Sequence, residues 1–152
     1  MNSNLKDLIT LFNQYGIKYF VLGGYAVSYY GDPRYTKDLD IAVASSPKDV
    51  GLLRQALEEF GFPISESSGK EFEEFNRMIT FGIPPNRIDI LNAVKGISFG
   101  DAFRNRKMVQ IGDLDVQMIS FDDLVTTKRA SGRPQDLLDV EHLLKRKSQA
   151  ER

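Results

Sequence analysis

Leu5, Leu8, Ile9 and Phe12 recur at i, i+3, i+4 and i+7, which predicts an amphipathic helix ending before Gly16. The period then changes. Tyr19 to Leu22 is a short continuous apolar run, the pattern of a buried strand, and Gly23-Gly24 breaks it ahead of a short helix over 25–30. "DLDIAVA" at 38–44 reads as the next strand. Ser46 as N-cap, Pro47 at the first helical position and Asp49 in the first turn predict a helix start. Its apolar stripe is Leu52, Leu53, Ala56, Leu57 and Phe60, and Gly61 closes it.

Across 65–75 the composition turns polar without clean periodicity, which predicts a surface loop or edge segment. "RMITFGI" and "RIDILNA" read as strands on either side of Pro84-Pro85-Asn86, and 99–106 reads as a helix. "MVQIGDLDVQMIS" predicts two strands joined by a tight hairpin at Gly112-Asp113, with Asp113 and Asp115 satisfying local backbone groups. Ser120 with Asp123 resembles a capping box for a helix over 121–130, and "SGRP" separates it from a last helix over 135–146. Alternating strands and helices predict an α/β or α+β fold, a sheet with helices packed against it.

Composition narrows the chemistry. With 152 residues, 41% hydrophobic and 27% charged, the chain has the profile of one packed domain. A net charge of -1 offers no global field for polyanions. The absence of cysteine excludes disulfides and thiolate chemistry, and a single histidine, His142, disfavours a zinc site, leaving oxygen ligands. The N-terminus lacks a secretion-signal pattern and no apolar stretch suits a membrane span, so a cytoplasmic protein without a membrane partner is expected.

Against this background the acids that open a buried strand stand out. Asp38 and Asp40 lie two apart and project from one side of their strand, while Leu39, Ile41 and Val43 enter the core. Such a pair repels unless something positive sits nearby. Either the acids occupy a solvated strand end with Arg34 and Lys37 as partners, or they clamp a divalent cation such as Mg²⁺. Asp89 in "RIDIL" is a third acid inside an apolar strand, opposite in face to Ile88 and Ile90, with Arg87 as its alternative partner in an ordinary salt bridge. Gly23 and Gly24 let backbone approach a ligand, with unpaired helix N–H groups behind them. Three carboxylates and a glycine turn suggest a nucleotide whose phosphates bridge metal ions. His142 reads as a surface or packing residue. Tyr25, Tyr29 and Tyr30 read mainly as packing, Tyr25 being near enough to the glycines to touch a base or sugar. Arg104, Arg106 and Lys107 on one exposed helix are either a solvated face or an RNA-backbone contact.

"VLGGYAVSYYGDPRYTKDLDIAV", residues 21–43, resembles the signature of the DNA polymerase beta-type nucleotidyltransferase superfamily: a glycine pair, a helix, then Asp-x-Asp on the next strand, with Asp89 matching the third acid. The wording is most similar to the small bacterial branch related to abortive-infection toxins and aminoglycoside nucleotidyltransferases. "SFDDLVTTKRASGRPQDLLDVEHL" continues the likeness as a helical tail. The resemblance implies a nucleotidyltransferase domain over 1–152 with a mixed sheet and a helical part over about 120–147. It implies Asp38, Asp40 and Asp89 as catalytic, metal-binding acids for Mg²⁺, or Mn²⁺ in its place. It also implies Gly23, Gly24, Arg34, Lys37, Lys128, Arg133 and Asp136 at the nucleotide, with Asp139 lining that end of the site.

By that resemblance the reaction moves a nucleoside monophosphate, for instance from ATP, to a hydroxyl acceptor, which in relatives is tRNA, protein or an aminoglycoside-like small molecule. Some relatives are toxins beside an antitoxin. One departure is present: many relatives carry serine after the first glycine, where its hydroxyl helps hold the terminal phosphates, whereas this chain has Gly24 and Ser28 lies a turn further on. Backbone amides, aided by Arg34 or Lys37, would then hold the triphosphate. Two other readings stand beside the enzyme: a nucleotide- or partner-binding module of the same fold without turnover, and a small structural protein whose acids are stabilising charge pairs.

Overall fold

The computed structural model of the protein describes residues 1–33, 36 and 38–151. The chain opens with α1 (Ser3–Gln14), capped by the Asn2 side chain, and its predicted stripe of Leu5, Leu8, Ile9 and Phe12 is fully buried. β1 (Tyr19–Leu22) follows, then α2 (Gly23–Tyr30) and β2 (Asp38–Val43). The glycine pair does not precede α2 as a separate turn; it forms the helix's first turn, entered through Gly23 at φ +68°. α3 (Pro47–Phe60) has the predicted caps, with Ser46 Oγ accepting from Asp49 N and Gly61 left-handed at φ +103°. Its buried stripe is Val50, Leu53, Ala56 and Leu57, so Leu52 and Phe60 lie at the margin instead of the centre.

The polar segment after α3 is a correction. Residues expected as a loop form α4 (Glu66–Phe72), with Ser65 as N-cap and Phe72 buried at 1% exposure. Gly69 lies close against the side chains of Arg54 and Val50 on α3, and that packing holds a helix too short to carry an amphipathic signature of its own. β3 (Met78–Phe81) and β4 (Arg87–Leu91) form the expected pair, followed by α5 (Phe99–Arg104). β5 (Lys107–Ile111) and β6 (Leu114–Met118) close the hairpin, in which Gly112 takes φ +66° and no positive φ is needed at Asp113. Asp115 has a structural role, but its Oδ1 accepts from the Gln110 side chain at 3.1 Å instead of from the local backbone as expected, while its carbonyl accepts from Asn13 at 2.8 Å. α6 (Phe121–Ser131), capped by Ser120, and α7 (Pro134–Ala150) end the chain.

The six strands form one mixed sheet in the order β3-β4-β2-β1-β6-β5. β2 runs antiparallel to β1 and parallel to β4, and β1 runs parallel to β6. Register divides the sheet into two faces. Tyr19, Val21, Leu39, Ile41, Val43, Ile88 and Ile90 share one, which is packed toward α1 through an edge contact between Phe12 and Tyr19. The residues between them, Phe20, Leu22, Asp38, Asp40, Ala42 and Asp89, project from the other. There Phe20 stacks on Phe99 of α5, while α2, α6 and α7 pack on one another. This is the mixed α/β sheet flanked by helices, with a C-terminal helical tail, that the sequence predicts. Among the described residues no helix is long and apolar enough to cross a membrane.

Candidate active site

The strand alternation that buries Leu39 and Ile41 sends Asp38 and Asp40 to the opposite face, and parallel pairing sets Asp40 directly beside Asp89. Their carboxyls hydrogen-bond to each other. Burial, the charge of Asp89, that hydrogen bond and the charge of Asp38 together push the Asp40 carboxyl up to about 7, and Arg87 offsets this only in part. Such a shift is what like charges in a dehydrated site produce. Asp89 is itself fixed from the side away from β2: Thr80 Oγ1 donates to its Oδ1 at 2.7 Å and Arg87 Nε reaches the same oxygen at 3.3 Å. The alternative ion pair expected for Asp89 is therefore present, alongside the acid pair and not instead of it.

Gly23 brings backbone to these acids. A Cβ there would lie 2.2 Å from Asp40 Oδ2, and its φ of +68° suits glycine alone. The N-cap of α2, Leu22, makes no side-chain capping bond. Gly24 is close-packed as well: a Cβ there would stand 2.7 Å from the Thr36 methyl.

A cleft of about 340 Å³ gathers Gly23, Asp40, Asp89, Lys128, Arg133 and Asp136. Residues from α2, β2, β4, α6 and α7 thus meet in one place. Lys128 is buried, and its Nζ lies 3.0 Å from Asp136 Oδ1 and 3.1 Å from Asp139 Oδ2. Burial pushes the Asp136 carboxyl up, but hydrogen bonds from Ser131, Lys128 and Arg133 outweigh it and hold the group down at about 2. A larger groove of about 470 Å³, bounded by Leu11, Phe62, Phe81 and Ile88, opens on the other face of β3 and β4, away from the acids.

Asp38 and Gly24 stand beside the cleft and do not line it. Asp38 Oδ1 is buried without a hydrogen-bond partner. Arg34 and Lys37 lie outside the described residues. Arg104, Arg106 and Lys107 do not share a helix: α5 ends at Arg104, Arg106 packs its guanidinium over Phe103 and donates to Gln117, and Lys107 begins β5. The helix broke there because Asn105 caps it and strand pairing with β6 takes over. His142 is exposed on α7 and Tyr30 is fixed by a bond to the Ile119 carbonyl, while Tyr25 is half-buried against the core. Thr80 and Ser131 were missed; each acts across strands or between helices, where sequence spacing carries no signal.

Whether the acids fit a cation can be judged from their own chemistry. Among the described residues no group of three or more acidic, imidazole or thiol side chains is arranged to hold a metal ion by itself. The donors are nevertheless hard oxygens, Asp40 is held partly protonated by its neighbours, and Asp38 carries an orphaned buried oxygen. A divalent cation relieves the last two of these and accepts the first, so the residues fit one.

No curated protein matches the sequence. Among solved structures, the fold resembles the antibiotic-resistance factor ANT(2'')-Ia in solution, with a TM-score of 0.61 and 11% identity over 94% of this chain and 82% of that one. It also resembles the lincosamide antibiotic adenylyltransferase LnuA, crystallised with lincomycin bound, with a TM-score of 0.58 and 14% identity over 94% of this chain and 96% of that one. Identities this low establish likeness of fold. The family described as nucleotidyltransferase of unknown function (DUF6036) matches residues 3–147, and the chain belongs to that family.

Proposed function

We propose that the protein transfers a nucleoside monophosphate from a nucleoside triphosphate to a hydroxyl group of an acceptor, using a divalent cation held by Asp40, Asp89 and Asp38. The observation that carries this reading is the meeting of the Asp40–Asp89 pair, the glycine-started helix α2 and Lys128 in one cleft. A bound Mg²⁺ or Mn²⁺ would supply charge neutralisation at the triphosphate and make the acceptor hydroxyl more acidic.

The residues divide the remaining work. Gly23 lets the first turn of α2 approach a phosphate without a side chain between them. Lys128 uses two of its three N–H donors on Asp136 and Asp139, and the third is chemically open to a phosphate oxygen. In this reading Asp89 receives the proton of the attacking hydroxyl, that oxygen bonds to the α-phosphorus, and pyrophosphate leaves. Positioning and charge compensation supply most of the acceleration in such a transfer. Arg133 and Asp136 border the nucleotide end.

ANT(2'')-Ia is an antibiotic-resistance factor and LnuA was crystallised with lincomycin, which supports placing small hydroxylated molecules among the acceptors, beside tRNA and protein hydroxyls. A toxin role with an antitoxin partner rests on the sequence resemblance alone.

The test is incubation of purified protein with each α-³²P-labelled nucleoside triphosphate, Mg²⁺ or Mn²⁺, and aminoglycosides, lincosamides, total tRNA or cell lysate. Label transferred by wild-type protein and lost in Asp40→Asn supports the reading. Transfer that survives Asp40→Asn unchanged refutes the assignment of the acids. A second reading, a nucleotide-binding module without turnover, draws support from the Thr36 methyl that fills the space beside Gly24. It predicts cation-dependent nucleotide binding without transfer to any acceptor.

A further inference from the structure

We propose that Thr80, seconded by Arg87, is a positioning residue that orients the Asp89 carboxylate for the transfer step. The inference rests on the nucleotidyltransferase reading and assigns a task to two residues outside the acid set.

Thr80 on β3 is the register partner of Asp89 on β4, so both side chains leave the same face of the sheet side by side. Arg87 precedes Asp89 by two residues on the same strand and shares that face. Both direct their donors at a single atom. Thr80 Oγ1 lies 2.7 Å from Asp89 Oδ1 and Arg87 Nε lies 3.3 Å from the same oxygen, while Oδ2 receives neither. Asp40 adjoins Asp89 from the opposite side, on β2.

The terminal torsion of an aspartate is soft and two-fold, so an untethered carboxylate turns readily. Asp40 meets Asp89 from one side only, so without Thr80 the carboxylate is not held about that torsion from the other. A short hydroxyl bond to one oxygen removes that freedom and gives the carboxylate one orientation at the cleft. Threonine suits the task because its branched side chain is stiff at χ1, which fixes where the hydroxyl points. The Arg87 contact is longer and its side chain is 41% exposed, so it balances charge more than it sets orientation.

The fold makes no comparable demand for this hydroxyl. β3 is an edge strand, paired with β4 alone, and Met78, next to Thr80 on the same face, is 60% exposed. Valine would satisfy strand propensity and volume at position 80 equally well. Thr80 is itself exposed, yet its hydroxyl is committed to the buried Asp89 of the cleft.

The test compares wild type with Thr80→Val, which keeps the shape and loses the hydroxyl, and Thr80→Ser, which keeps the hydroxyl. Loss of an outer partner of this kind typically costs about 10–100-fold. Thr80→Val should lower kcat by about that factor, with KM for the nucleotide little changed, an unaltered unfolding midpoint, and recovery in Thr80→Ser. A titration of Mn²⁺ in the presence of a non-hydrolysable nucleoside triphosphate, followed by the Mn²⁺ EPR signal, gives a readout independent of turnover. Binding should weaken in Thr80→Val and recover in Thr80→Ser. Transfer by Thr80→Val at the wild-type rate, equal damage in both variants, or equal Mn²⁺ affinity in all three proteins overturns the proposal. Wild-type protein that neither transfers label nor binds Mn²⁺ removes the transfer reading itself, and this inference with it.

Discussion

Asp40 on β2 and Asp89 on β4 stand opposite each other across a parallel strand pair and hydrogen-bond through their carboxyls. A bond between two carboxyls needs a proton, which burial and the neighbouring charges retain on Asp40 up to about pH 7. The pair therefore couples folding to pH.

An ordinary unfolded aspartate titrates near about 3.9. Because the folded-state value of about 7 lies above it, the native protein keeps a proton through an interval in which the unfolded chain has lost one. The contribution of this group makes stability fall as pH rises from about 4 to about 7. Thermal melts in cation-free buffer should show that decline, and Asp40→Asn should flatten it. Adding Mg²⁺ or Mn²⁺ at pH 8 should raise the melting temperature of wild type more than of Asp40→Asn, since a ligand of the folded state stabilises by mass action.

Lys128 is the buried counter-charge to Asp136 and Asp139. Replacement by methionine leaves two carboxylates buried without it, a change that costs about 3–5 kcal/mol when one partner of a buried pair is removed. Urea unfolding of Lys128→Met without nucleotide should show this loss as a lower midpoint at constant slope. An unchanged midpoint would mean that Lys128 matters only to a bound phosphate.

Gly23 and Gly24 make separate predictions. Gly23→Ala sets a Cβ 2.2 Å from Asp40 Oδ2 at a φ that L side chains avoid, so transfer should drop sharply. Gly24→Ser meets the Thr36 methyl at 2.7 Å and should destabilise, with Thr36→Ala relieving much of the cost. A double-mutant cycle of thermal stability measures that coupling, expected at about 0.5–3 kcal/mol for residues in contact.

Phe72 anchors α4 from within a polar stretch. It is buried at 1% exposure, and Phe72→Ala should cost about 3–5 kcal/mol. A loss below about 1 kcal/mol would show that α4 is held by its Ser65 cap and its Gly69 contact instead.

Much of this was legible before any tertiary contact was known. The period of Leu5, Leu8, Ile9 and Phe12, the caps at Ser46, Gly61 and Ser120, and the Gly112 hairpin are local signals, because helix ends and tight turns are governed by the few residues within hydrogen-bonding reach. Strand alternation likewise separated Asp38 and Asp40 from Leu39 and Ile41. The family signature then linked Asp89 and the 120–143 segment to one site. What remained hidden depended on distance in sequence. α4 forms because Gly69 packs on α3 and Phe72 reaches the core, and no window of seven residues records such a partner. Arg104, Arg106 and Lys107 parted where helix gave way to strand pairing with β6.

The sequence by itself determined most helices and strands and which acids leave the core face, since those follow from periodicities of 3.6 and 2 along one chain. Only the tertiary structure decided that Asp40 meets Asp89, that Thr80 holds one oxygen of Asp89, and that Lys128 is claimed by Asp136 and Asp139. Each is a choice of strand neighbour, register or helix crossing. Those choices are set by how the apolar faces pack in three dimensions, and the packing is shared among residues far apart in the chain.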